Sequence, residues 1–193
     1  MEANEMTPEK SLQIISDAIA KSRRDFEKNS GTPMIIWGTV VIVFSLAVWF
    51  LTRTTGNVCW NFLWFGVPVV GAVLMALMPK GRCPENTGNF ISRSIGQVWI
   101  AYGIFATVLS AAFSIMAAPH YIGYITAVLL GFAAVMTGVI LKNRFITVGG
   151  FVTGTGCTIA LFLVQQADST LFFAAAAILN LLVPGIMMNR KAN

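Results

Sequence analysis

Charge is the first thing this chain lacks. Only 11% of its 193 residues are Asp, Glu, Lys or Arg, and 56% are apolar. Ordinary soluble domains carry about 25% charged residues, so that class is excluded and a membrane protein is indicated. Histidine occurs once, at His120, and six apolar segments contain no Asp, Glu, Lys, Arg or His. Coupling a proton or an ion to transport relies on a group that changes charge at depth, and these segments offer none. A hydrolase within the membrane needs a nucleophile with a base in reach; His120 has no evident partner for that work, so no catalytic residue is assigned. Cysteine is scarce too: Cys59, Cys83 and Cys157 fall outside, inside and within the bilayer in the layout below. That separation predicts no intrachain disulfide and no metal set, and no cofactor is expected. The net charge of +5 comes without a basic patch interleaved with aromatics, which argues against nucleic acid as a partner.

What is present is long apolar sequence. A helix that crosses about 30 Å of hydrocarbon needs roughly 20 largely apolar residues. Six segments meet this: 34–51, 62–78, 98–118, 122–141, 145–164 and 171–188. The first apolar run begins only at Met34, behind a charged arm, which is unlike a cleaved secretory signal.

Lys and Arg counts in the loops set orientation. Of the thirteen, only Arg53 falls in an outer connection; Lys80, Arg82, Arg93, Lys142, Arg144, Arg190, Lys191 and the five of the arm share the other side. Both termini are therefore expected in the cytosol. Aromatic belts agree, with Trp49, Trp60, Trp64, Tyr121 and Tyr124 at outer ends and Trp37, Trp99 and Tyr102 at inner ends. Short connections, "APHY" and "QQADST" outside and "KNR" inside, arrange the six spans as three hairpins. The fold class predicted is an all-α membrane protein: a cytosolic amphipathic helix followed by six transmembrane helices.

Lipid offers no hydrophobic drive for helices to associate, so close packing falls to small residues four apart. Candidate packing positions are Ala106, Ser110 and Ser114 on the third span, Gly123, Ala127 and Gly131 on the fourth, and Gly150 and Gly154 on the fifth. Pro68 and Pro184 predict bends in the second and sixth spans. Asn180 is the most polar residue within a span, and Pro184 leaves its carbonyl without the usual helical donor. The run "TVGGFVTGTG" at 147–156 superficially suggests a carbonyl-lined ion filter. It is needed to complete the fifth span, so it reads as helix.

The arm, 1–31, predicts a helix over about 8–29, with Thr7 and Pro8 as its start and Gly31, Thr32 and Pro33 as a stop, turn and restart. The remaining layout is a transmembrane domain over 32–188 and a tail over 189–193. Leu12, Ile15, Ile19 and Phe26 follow a 3,4 spacing and form a narrow apolar seam, with Lys10, Lys21, Arg24 and Lys28 nearly opposite. A narrow seam suits a helix partner better than a lipid surface. The arm's acids Glu9, Asp17, Asp25 and Glu27 largely cancel its bases, which weakens a polybasic lipid anchor.

The segments "IISDAIAKSRRDFEKNS", "MIIWG" and "VWIAYG" together resemble a group of small, uncharacterised bacterial multi-pass inner-membrane proteins. The resemblance implies a bacterial inner-membrane setting and transfers no activity and no site residue. The function expected is that of a non-enzymatic membrane protein acting through self-association or a protein partner at its arm. The alternative is a small transporter or pore for a neutral or weakly charged solute.

Overall fold

The computed structural model describes residues 8–78, 90–116, 121–163 and 169–192. Thr7, Lys80, Arg82, Cys83, His120 and most of the "APHY" and "QQADST" connections lie outside the described residues. Within them the chain is all helical: α1 Pro8–Thr55, a 3₁₀ segment Val58–Phe65, α2 Gly66–Ala76, α3 Phe90–Ile115, α4 Ile122–Leu141, α5 Arg144–Leu163, α6 Ser169–Ala177, a π turn Ile178–Leu182, and α7 Val183–Ala192. Helix is what apolar sequence must form where no water exists to satisfy backbone N–H and C=O groups. Five helical stretches among the described residues are long and apolar enough to cross a membrane: Pro8–Thr55, Val58–Ala76, Phe90–Ile115, Ile122–Leu141 and Ser169–Arg190.

The largest departure from expectation is α1. Instead of an arm helix, a turn and a first span, one helix of 48 residues runs from Pro8 to Thr55 with Pro33 inside it, about 72 Å long. The reason lies in packing. Ser30 and Gly31 are buried, and a methyl group on Gly31 would lie 2.8 Å from the Asn189 amide nitrogen and 2.9 Å from the Gly185 carbonyl oxygen of α7. Gly31 thus serves close backbone approach, not a left-handed cap. One intrahelical hydrogen bond lost at Pro33 is outweighed by the packed face around it.

Gly31, Gly38 and Ser45 recur every seven residues, with Val41 and Val48 beside them, and all five are buried. Gly38 meets Leu181 and Leu182 of the π turn, and Ser45 satisfies its hydroxyl on the Val41 carbonyl at 2.7 Å. This seam makes α1 the support of the broken C-terminal helix.

The intimate pair is α4 with α5. Lys142 caps α4 in the left-handed region with φ 56, and Asn143 then accepts the Phe145 N–H on its side chain at 3.1 Å. So tight a turn forces the helices together. A methyl on Gly131 would lie 2.7 Å from the Gly150 carbonyl oxygen, and Gly138 presses on Thr147. Burial ranks the helices: 56% of the most apolar stretch of α4 is inside, against none of that of α3.

At the charged end α3 holds Ile91 and Ile95 in a core with Ala134, Leu141, Ile146 and Met188. Towards the other end its Ile115 and Met116 are exposed. A second core joins Val41, Ala127, Leu130, Cys157, Phe173 and Leu181.

Packing defines the surroundings of three aromatic or proline positions. Tyr124, in the first turn of α4, is 2% exposed and its ring lies 5.6 Å from that of Phe172, tilted by 35°, so it packs between helices. Trp37 lies over Gly71, which seats α2 on α1. Pro68 stands in the first turn of α2, just after the 3₁₀ segment gives way to α-helix at Gly66.

Candidate functional site

The apolar seam of the arm is divided by the fold. Phe26 packs against the core of Ile91, Ile95, Leu141, Ile146 and Met188. One residue on, the Glu27 carboxylate accepts a hydrogen bond from the Asn143 amide at 3.4 Å. These contacts fasten the base of the arm to the α4–α5 turn. Further out, Leu12, Ile15 and Ile19 are 68%, 56% and 42% exposed. Ser22, in the remaining slot of the seam, bonds its hydroxyl to the Ala18 carbonyl at 2.9 Å. The spacing alone treated the four apolar residues as one surface. They serve two purposes because α1 does not turn at Gly31 and its base is carried against the bundle.

The second polar locus is Asn180, fully buried in the π turn. Its amide nitrogen donates to the Thr153 hydroxyl at 2.6 Å and to the Ala176 carbonyl at 3.0 Å. The Ala176 acceptor orients the amide, leaving Oδ1 without a hydrogen-bond partner among the described residues. Opposite lies Gly149, where a methyl would stand 3.6 Å from Oδ1 and 3.7 Å from the Leu179 carbonyl. The π turn itself follows from Pro184: a wider turn carries the ring past the carbonyl four residues earlier and lets the Val183 N–H reach Ile178. Asn180 therefore ties the break in the last helix to α5. Thr153→Val removes this tie while Ala176 keeps the amide oriented. It is expected to lower thermal stability by about 0.6 kcal/mol, the usual size of such bonds in membranes. Unfolding followed by exposure of Cys157 checks this, and a loss several times larger would mean that the pair organises more than one contact.

The candidate packing positions differ in what they meet. Gly123 faces the Ser169 backbone of α6, Gly131 and Gly150 face each other, and Ala127 is fully buried. Gly154 offers its backbone to Gly131 while the side where a Cβ would stand is open. Ala106 and Ser110 are half-buried on α3, whereas Ser114 is exposed and bonds to the Ser110 carbonyl at 2.8 Å. The Gly31–Gly38–Ser45 seam was missed by a search for spacing of four; a spacing of seven would have found it.

Two clefts among the described residues are of note. One, of about 410 Å³, is lined by Cys59, Trp60, Phe62, Leu63 and Gly66. The other, of about 310 Å³, lies beside Glu27 and the α4–α5 turn. Among the described residues no group of three or more His, Cys, Asp or Glu converges. Comparisons with family models, curated proteins and solved structures find no match to this chain.

Proposed function

We propose that this chain is a non-enzymatic membrane protein whose N-terminal arm pairs with another helix, either of a second copy or of a protein partner. The observation that carries the reading is the divided seam. Phe26 is held by the bundle, and the same unbroken helix presents Leu12, Ile15 and Ile19 to solvent. Apolar side chains at that spacing gain stability by entering a partner's seam, and each fully buried one contributes about 1.5–3 kcal/mol. With this reading go a layout of six crossings in three hairpins, α5 being the remaining one, both termini on the cytosolic side, and a bacterial inner-membrane setting. The positive-inside distribution of Lys and Arg supports the orientation.

The test is the full chain with Leu12→Asp, Ile15→Asp and Ile19→Asp together. Association, read as oligomer size and co-purifying protein from native membranes, should fall at least tenfold while thermal unfolding stays unchanged. Unchanged association would sink the reading. Deleting the whole arm is a poorer experiment, because it also removes Phe26 and Glu27 from the body of the fold.

A second reading, a small transporter or pore for a neutral or weakly charged solute, is favoured by one observation. The last helix is broken by a π turn at Asn180, and breaks of this kind within a membrane line substrate paths in transporters. Solute flux in proteoliposomes no faster than in empty vesicles would remove it.

A further inference from the structure

At the charged end of the bundle three elements enclose the 310 Å³ cleft: Glu27 from α1, Lys142 and Arg144 from the α4–α5 turn, and Pro184, Met187 and Met188 from α7. The backbone carrying its two cations is fixed. Lys142 N–H bonds to Val139 O at 3.1 Å and Asn143 N–H to Gly138 O at 2.9 Å. On the other side of the turn, Asn143 Oδ1 accepts the Phe145 N–H at 3.1 Å. Little ordering therefore remains to be done when a ligand arrives. Both cations are exposed, and among the described residues neither is held in an ion pair. Glu27, the acidic member, is engaged by the Asn143 amide, and the three charges leave the cleft at a net +1.

Beside the cations the lining is apolar and accessible, with Phe145 42% and Met187 39% exposed. A small soluble anion has no use for such a surface. A phospholipid does, because its phosphate sits directly above its first acyl carbons. The cleft also stands where α4 ends and α5 begins, the level at which apolar helix gives way to charge. Basic pockets between helices at that level recognise anionic headgroups, and methionine adapts to chains of varied shape.

We propose that this cleft binds an anionic phospholipid, with Lys142 and Arg144 on the phosphate oxygens and Phe145 and Met187 against the start of an acyl chain. It is independent of what the arm docks on.

The test uses the full-length protein in detergent, titrated separately with phosphatidylglycerol, phosphatidylcholine and inorganic phosphate, with bound adducts counted by native mass spectrometry. Phosphatidylglycerol should be retained in preference to phosphatidylcholine. Lys142→Asn, which suits the left-handed backbone there, and Arg144→Gln should each weaken it about fivefold, and together about 25-fold. Glu27→Gln keeps an acceptor for Asn143 and removes the opposing charge, so it should tighten binding about fivefold, a gain that a merely structural role for these residues would not produce. Arg53→Gln, at the far end of α1, should change nothing. Equal retention of the two lipids, a preference surviving in the double variant, or no gain with Glu27→Gln would overturn the proposal. Displacement of the lipid by millimolar inorganic phosphate would also overturn it, assigning the cleft to a soluble phosphate.

Discussion

Gly150→Ala should lower the stability of the protein by about 2 kcal/mol, although alanine is the better helix former. The added methyl would stand 2.6 Å from the Gly131 carbonyl oxygen and 2.7 Å from the Val135 amide nitrogen. Both are backbone atoms, so no side chain can rotate out of the way. Sliding is blocked as well, because the turn at Lys142 and Asn143 fixes the register of α4 against α5. Overpacking of this kind costs about 1–3 kcal/mol, and backbone collision belongs at the upper end. Against this stands about 1 kcal/mol of helix propensity gained. Gly103→Ala is the control: nothing lies within 4 Å of its added methyl, so the propensity term acts alone and stability should rise. Cys157, 5% exposed, reports unfolding through thiol labelling once Cys59 and Cys83 are changed to serine. If both substitutions raise the midpoint, close approach of α4 and α5 is not what holds this pair.

Gly31→Ala carries the second large effect and decides between two accounts of "NSGTP". In a left-handed turn, alanine would be strained by its own backbone and the cost would be local. In the continuous helix the cost, about 1–2 kcal/mol after the propensity gain, comes from α7. The two accounts separate at Gly185, where an added methyl would lie 2.9 Å from the Gly31 carbonyl oxygen and 3.0 Å from the Ile35 amide nitrogen. If the helices touch there, Gly185→Ala costs a similar amount, and the double variant costs clearly less than the sum, because either methyl alone already parts the same two surfaces. Additive losses in the cycle would restore the turn. Since Phe26 and Glu27 ride on α1 just before this contact, the same variants are expected to loosen the base of the arm.

Much of the architecture was legible because membrane physics leaves few choices. Five of the apolar segments lie in helices of crossing length, and the described part of the fifth segment, 145–163, falls in α5. Gly123, Gly131 and Gly150, spaced for helix contact, stand at helix contacts. The error at Gly31 to Pro33 has a physical cause. The local stop signal there was read as if that stretch of chain stood alone, and in the folded protein α7 covers Gly31. A stop signal worth about 1 kcal/mol yields to a packed interface that contributes more.

By itself, then, the sequence determined the all-helical class and the long apolar segments that are compatible with membrane insertion. Each depends only on how residue types partition between lipid and water. Which glycines touch which helix, how far α1 runs, and how the seam divides between Phe26 and the exposed Leu12, Ile15 and Ile19 were decided by tertiary structure alone. Those outcomes depend on the surfaces facing each segment, and in a bilayer, where the solvent is as apolar as the side chains, only close steric fit and a few hydrogen bonds distinguish one neighbour from another.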